Sequence, residues 1–308
     1  QSILHALEKT LAELKVEVRL RTPVDAVLLA GEAAGGVRTR DGQKIHGDAV
    51  VLATGGLSYP RTGSTGDGLK MARSSGHQVV EPRPALVGLK TVESFPGRLE
   101  GLTLKNIVLT FSEGRKKVRS EVGELLFTGK GISGPLVLSW SGTVGDWLAD
   151  GKKVAVDIDL KPGLSEQDLD QRLLREFKAG ARSLLKNILK NLLPMRLIEV
   201  FLEGCGLDPN QKANQISQEG RRRIIRLLKH FSVEAAACEP FDQAMVTRGG
   251  VSVKDINPKT MESRLVRNLF FAGELVDVDA DTGGFNLQAA FSTGYLAGES
   301  AAAQETAM

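Results

Sequence analysis

Histidine and cysteine are scarce in this chain, and most familiar catalytic devices are absent with them. Its 308 residues include four histidines (His5, His46, His77 and His230) and two cysteines, Cys205 and Cys238. The histidines are scattered, none beside a nucleophile motif, and no GxSxG, HExxH or Walker-type sequence is present. The cysteines lack metal-ligand and CxxC spacing, so no metal is expected and a reducing, cytoplasmic setting fits. No apolar run reaches membrane-spanning length, which leaves a membrane partner unsupported. A formal charge of +3 is too small to imply non-specific nucleic-acid binding, and the expected partner is a small molecule. Glycine, by contrast, is plentiful at 34 residues. Ligand-cradling glycines without acid–base machinery suggest that a cofactor carries the chemistry.

In chain order, Ile3, Leu4, Leu7, Leu11 and Leu14 fall at helical spacing. Gln1-Ser2-Ile3-Leu4 opens inside this helix without an initiator methionine, and we expect an interior boundary there. Val16–Leu20 alternates as a strand would, and Pro23–Leu29 reads as another, with hairpin turns expected at Gly35-Gly36 and Asp41-Gly42. Asp48–Ala53 is an unbroken apolar strand of the buried parallel type, ending in Thr54-Gly55-Gly56. A helix from Leu69 to about Ser75 follows. A ligand at the end of that strand and a plain glycine turn are both open readings.

From Leu86 to about Asp159 the sequence breaks into short β-like runs: Leu102–Phe111, Lys116–Val122, Glu124–Phe127 and Lys153–Leu160. Gly129-Lys130-Gly131-Ile132-Ser133-Gly134 matches GxGxxG, but it opens no βαβ unit and Pro135 follows, so it reads as a structural or substrate-side loop. Leu164–Phe231 is helical. Ser165 is the expected N-cap of its first helix, and the segment Arg196–Leu202 should end at Gly204. Arg221, Arg222, Arg223, Arg226 and Lys229 form a basic helix face, read as solvated surface, with a nucleic-acid contact as the lesser alternative. Glu234–Val253 returns to β character. The chain closes with an apolar run, Leu265–Ala272, then Gly273-Glu274, an acidic loop, Gly283-Gly284 and a small-residue helix over Gln288–Ala303. A glycine-led helix N-terminus presents free N–H groups to an anionic or electron-rich ligand.

Several of these segments resemble one family. Val50–Gly56 with Ser58-Tyr59-Pro60 is similar to the second FAD-contacting segment of the HI0933-like flavoproteins, also called BaiN/RdsA-like or aminoacetone-oxidase-like. Leu126-Phe127-Thr128, Gly131–Pro135, Gly249-Gly250-Val251, Asn257–Ser263 and Phe271–Gln288 follow in family order. The resemblance implies an α/β fold with a discontinuous Rossmann-like FAD-binding domain of the glutathione-reductase type. That domain would span 1–85 and 254–308, with a β-rich insertion over 86–162 and 233–253 and a helical one over 163–232. It places Val24 at the adenine side and Thr54, Gly55 and Gly56 near the adenosine and pyrophosphate. Gly273, Glu274 and Asp277 fall along the pyrophosphate and ribityl chain. Gly283, Gly284, Phe285, Asn286 and Leu287 fall at the pyrimidine edge of the isoalloxazine. The implied activity is FAD-dependent oxidoreduction of a small molecule, with NAD(P)H left open as a donor because no second dinucleotide motif supports it.

Two departures qualify that expectation. The family's opening GxGxxG βαβ unit, its ribose acid and a glycine-rich Arg-Cys-Asn segment beside the flavin are not in this sequence. A fragment is therefore expected, incomplete at the N-terminus and inactive alone, with core surface uncovered and FAD binding weak or absent unless the rest is supplied. The alternative is a non-catalytic binding protein built on a truncated flavoprotein fold. Second, Gly129 stands where the family loop often has histidine, which leaves Lys130 as the one candidate for an acid–base role.

Overall fold

A computed structural model describes residues 2–303. It opens with α1 (Ser2–Glu13), β1 (Val24–Ala30), β2 (Ala33–Thr39), β3 (Lys44–His46), β4 (Val50–Leu52), α2 (Asp67–Ser74) and β5 (Val79–Ala85). β6 (Leu89–Thr91), α3 (Phe95–Arg98), β7 (Thr103–Glu113), β8 (Lys116–Arg119), β9 (Gly123–Thr128), β10 (Gly131–Ser133), α4 (Pro135–Ala149) and β11 (Val154–Asp159) follow. Next come α5 (Glu166–Ala179), α6 (Leu185–Ile188), α7 (Met195–Cys205) and α8 (Gln218–Lys229). β12 (Phe231–Cys238), β13 (Val246–Val251), β14 (Leu269–Phe271) and α9 (Phe285–Ala303) complete the order. The fold is mixed α/β.

β4 and β14 pair in parallel, Val50 opposite Leu269 and Leu52 opposite Phe271. Both are apolar runs, and Leu269, Phe270 and Phe271 are fully buried in a core shared with Leu69, Met71, Val251, Ile256 and Ala297. The inner edge of β14 is taken by residues 261–263, where the Phe271 N–H donates to the Met261 carbonyl. No strand among the described residues pairs with the outer edge of β4. Val51 is 40% exposed there, and on α9 Phe291 and Tyr295 are 56% and 72% exposed. Parallel strands are ordinarily covered on both faces, so this part of the molecule presents interior-type surface to solvent.

A second core lies in an antiparallel sheet ordered β11-β12-β6-β10-β9-β7-β8. β7 is long enough to pair β9 with its first half and β11 with its second, which closes six strands on themselves with β8 outside. Phe111, Phe127, Ile132, Val156 and Ile158 point inward, fully buried, and α5–α8 add Leu169, Leu173, Phe201 and Leu228 to the same core. α5 starts as expected: the Ser165 hydroxyl accepts from the Asp168 N–H and Asp168 reciprocates in a capping box. β13 pairs with β5 as a separate two-stranded ribbon between the two cores.

Several local expectations are corrected. Val16–Leu20 forms no strand, because no neighbour supplies the ladder bonds its alternation would need. The first hairpin turns at Gly31-Glu32, not Gly35-Gly36, which lie inside β2. Gly36 is required there by close approach, since a Cβ would sit 2.9 Å from the His46 Cα. Asp41-Gly42 does make the second turn. α7 runs through Gly204 and ends at Gly206, the residue in the left-handed conformation that a C-cap wants. The largest miss is α4, a 15-residue helix in a stretch read as β-rich. Pro135 is its N1 residue, and the preceding GxGxxG match is strand β10 leading into that helix.

The basic face of α8 has an unexpected explanation. Arg221 is paired with Asp170 at 2.6 Å, Arg223 donates to the Cys205 carbonyl, and Lys229 bonds Asp159 and two carbonyls. Only Arg222 and Arg226 are exposed. Most of that charge ties α8 to its own domain rather than facing solvent or a polyanion.

Candidate functional site: two adjoining clefts beside the start of α9

A cleft of about 410 Å³ opens over the junction of β14 and α9. Gly273, Glu274, Gly283, Gly284, Asn286 and Leu287 line it from the closing segment, and Tyr59, Leu86 and Met245 line it from elsewhere. Gly273, Gly283 and Gly284 have φ of 70°, 116° and 90°, values that side chains rarely tolerate. Gly284 accepts the first α-helical bond, from Gln288 N–H, so the Phe285, Asn286 and Leu287 N–H groups have no acceptor within α9. The Asn286 side chain turns back to the acidic loop, accepting from Ala280 N–H at 2.9 Å and donating to the Ala280 carbonyl at 2.7 Å. It sets the shape of the loop that leads into the helix.

Glu274 has a structural task as well. Its Oε1 accepts from the Thr247 N–H at 2.7 Å, while Thr247 Oγ1 accepts from Leu57 N–H at 2.7 Å and Ser58 N–H at 3.0 Å. This clamp fixes the loop after β4 against β13, and only glycine fits at Gly56, where a Cβ would meet Thr247 Cβ at 2.5 Å and Glu274 Oε1 at 2.8 Å. Gly55 has φ 72°, and Thr54 Oγ1 is buried at the end of β4 with no hydrogen-bond partner. Val24 lies apart, at the start of β1, half-buried against the core below β4.

A second cleft of about 820 Å³ adjoins the first, sharing Leu86 and Asp281. One face of α4, carrying Leu136, Ser139, Trp140 and Thr143 at helical spacing, forms its wall, with Phe285 and Arg119 opposite. Arg248 lines this second cleft, bonded to Asp146 of α4 at 3.0 Å and to Asp279 at 3.3 Å; Arg83 holds the other Asp146 oxygen at 2.9 Å. Asp277 lies in a smaller hollow behind this ion network. Burial and then the neighbouring Asp279 push its carboxyl above the ordinary carboxylate value, against the opposing pull of Arg248.

The structure thus gathers Gly273, Glu274, Gly283, Gly284, Asn286 and Leu287 in one cleft and gives Phe285 to the next. Thr54, Gly55 and Gly56 sit on the β4 side of the clamp. Lys130 lies outside both clefts, at the exposed turn between β9 and β10. Sequence reading did not single out Thr247, Arg248, Asp146 or Trp140, because their partners are distant in the chain. No residue group among those described could hold a metal ion, and no described helix is long and apolar enough to cross a membrane.

The residues present fit a flavin. Positive-φ glycines permit close approach, the α9 N-terminus can stabilise negative charge at a reduced ring, and the buried Thr54 hydroxyl wants a polar partner.

Comparisons with known proteins identify relatives of the chain. A family model described as the HI0933-like protein Rossmann domain matches residues 1–300. A 3-dehydro-bile acid delta(4,6)-reductase of Clostridium scindens is 33% identical over 98% of this chain and 73% of its own. Ribosomal RNA dihydrouridine synthases of Haemophilus influenzae and Escherichia coli are 34% and 30% identical, over 80% and 96% of this chain. These alignments cover 58% and 70% of the two synthases. Among solved structures, GidA of Aquifex aeolicus aligns over 92% of this chain and 44% of its own at 14% identity, with a TM-score of 0.31.

Proposed function

This chain belongs to the HI0933-like family of flavoprotein oxidoreductases, and from that premise we propose that it carries the flavin-edge half of an FAD site. The reaction we infer is reduction of a carbon–carbon double bond conjugated to a carbonyl. The two kinds of relative differ in substrate, but a delta(4,6)-reductase acting on a 3-keto compound and a dihydrouridine synthase share that chemistry by name. The observation that carries the reading is the adjacency of the two clefts across Leu86 and Asp281.

FAD, when bound, supplies the hydride. The chain's own groups then have distinct tasks. Gly273, Gly283 and Gly284 let the backbone approach the isoalloxazine, and the Phe285–Leu287 N–H groups stabilise charge at its pyrimidine edge. Thr54, Gly55 and Gly56 meet the adenosine and pyrophosphate side, Val24 the adenine side, and Asp277 the ribityl chain. The Glu274–Thr247 clamp keeps these segments in register. Leu136, Trp140 and Phe285 offer an apolar wall to the substrate's body, with Arg119 at the rim. Nicotinamide dinucleotide is the proposed source of electrons. Lys130 stays the fallback acid, although its place outside both clefts argues for Tyr59, considered below. Substrates on ribosomal RNA enter only through the relatives' names, since Arg221 and Arg223, two of the four α8 arginines, are occupied internally.

The unpaired β4 edge and the apolar outer face of α9 support a cradle completed by further sheet and helix structure. By itself this chain should bind FAD weakly. Titration of the purified chain with FAD, followed by flavin fluorescence, tests this. Saturable binding that strengthens when a family GxGxxG βαβ segment is supplied supports the proposal. Stoichiometric flavin in the chain as purified refutes the incompleteness. Failure to bind flavin even with that segment favours the non-catalytic reading.

A further inference from the structure

Tyr59 adopts φ 53° and ψ 54°, the left-handed conformation that bulky side chains avoid. The chain holds it there. Thr62 donates both its N–H and its hydroxyl to the Tyr59 carbonyl at 2.8 Å, and Pro60 follows directly. Backbone strain of this kind persists where the surroundings over-determine it, and it concentrates at working sites. Tyr59, 54% exposed, lines the smaller cleft together with Leu86, Met245, Gly284 and Leu287. The phenol hydroxyl has no hydrogen-bond partner among the described residues.

Asp281 and Thr282, from the loop before α9, line the cleft with Tyr59, and its remaining proton carriers are engaged. Glu274 accepts from the Thr247 N–H, and the Thr293 hydroxyl donates to the Ala289 carbonyl. Both thiols lie elsewhere, pushed up by burial to about 12 at Cys205 and about 11 at Cys238. His77 is buried against Phe271 with its ring nitrogens bonded to Ser263 and the Ala72 carbonyl.

We propose that Tyr59 is the proton donor for double-bond reduction at this cleft, an inference that rests on the reaction proposed above. Hydride with its electron pair forms a C–H bond at the β-carbon of the unsaturated carbonyl. The π pair moves toward the carbonyl as an enolate. The Tyr59 O–H bond then breaks, a C–H bond forms at the α-carbon, and the phenolate recovers a proton from water. The substrate gains two electrons, which the reduced flavin loses and an external nicotinamide-type hydride donor replaces.

Two measurements on the full chain with saturating FAD test the proposal. The probes are 2-cyclohexenone, a 3-keto-4,6-diene steroid and a uridine-containing RNA hairpin. Rapid mixing reads the rate at which each probe reoxidises reduced flavin, and Tyr59→Phe should slow it about 100-fold or more. FAD affinity, melting temperature and flavin reduction by NADPH should stay within about twofold or a degree, as expected when one proton transfer is lost. Proton NMR in D₂O reads exchange at the α-carbon of cyclohexanone with no flavin present, and this too should fall in Tyr59→Phe. Tyr59→His, which keeps a titratable ring, should recover part of both rates. If the unaltered chain, supplied with the family's GxGxxG βαβ segment, reduces none of the probes, the double-bond reading falls and this inference with it. If it reduces one and Tyr59→Phe is within about threefold in both assays, the reading stands and Tyr59 is not the donor. Loss confined to FAD affinity or melting would make Tyr59 structural and also overturn the proposal.

Discussion

Replacing Thr247 by valine keeps the shape of the side chain and removes one hydroxyl oxygen. That oxygen accepts from the Leu57 and Ser58 N–H groups, and Thr247 and Ser58 are 2% and 3% exposed, so water cannot replace it cheaply. An orphaned buried N–H costs ~1–3 kcal/mol, and two, less the regained desolvation of the hydroxyl itself, come to about 2–4 kcal/mol. Thr247→Ser keeps the acceptor and loses only a methyl group, at about 1 kcal/mol. The direct assay is amide hydrogen exchange by mass spectrometry on a peptide spanning residues 54–58. Thr247→Val should reduce protection there by about 30- to 1000-fold, the equivalent of that energy, and Thr247→Ser by no more than about fivefold. FAD affinity should follow the same order. Equal protection in the valine variant and the parent, or equal damage by serine and valine, would refute the clamp as the reason this loop is ordered.

Thr54→Val removes a buried hydroxyl that has no partner. Without FAD, melting should be unchanged or raised by up to about 1 kcal/mol of stability, whereas FAD affinity should fall about tenfold, in paired melts and titrations. Asp277→Asn should stabilise the chain at neutral pH. Burial raises the folded carboxyl above its ordinary value of 3.8, so the folded state binds the proton more tightly and the charged form is the unfavourable one. The gain should shrink as pH falls through the folded value and vanish below about 3.8. Urea melts at pH 7 and pH 3.5 would check it, and an equal gain at both refutes the burial argument. With thiols at about 12 and 11, native Cys205 and Cys238 should resist iodoacetamide at pH 8 and react only after denaturation, as read by intact mass.

The parts of this fold that could be read from sequence are those decided by neighbours in the chain. The capping box of α5 needs only Ser165 and Asp168, and β4 and β14 are continuous apolar runs before glycine. α4 was hidden because its two glycines and β-branched residues blur the helical period, while its Pro135 start follows a decoy glycine motif. The Gly35-Gly36 pair looked like a turn because close packing of Gly36 on β3 cannot be seen without the partner strand. Arg221, Arg223 and Lys229 looked like a wet face because Asp170, Asp159 and the Cys205 carbonyl come from other segments. In the candidate site, the closing glycines were visible and their cleft-mates were not. Thr247 meets Leu57 across 190 residues, and Arg248 meets Asp146 across about a hundred. No local pattern encodes such pairs.

The parallel pairing of β4 with β14 also has a kinetic side. Val50 and Leu269 are 219 residues apart, a long loop to close before any contact rewards it. The seven-stranded sheet, however, sets Leu89 opposite Cys238. Once it has formed, only 39 residues separate Val50 from that junction and 31 separate it from Leu269. The effective loop shrinks about threefold, which lowers the closure entropy by about 1 kcal/mol and favours pairing roughly fivefold. That sheet should therefore fold first and act as a template that brings β4 and β14 together. A mutation that slows closure of the β7–β11 seam would delay flavin binding without touching a single residue of the proposed flavin site.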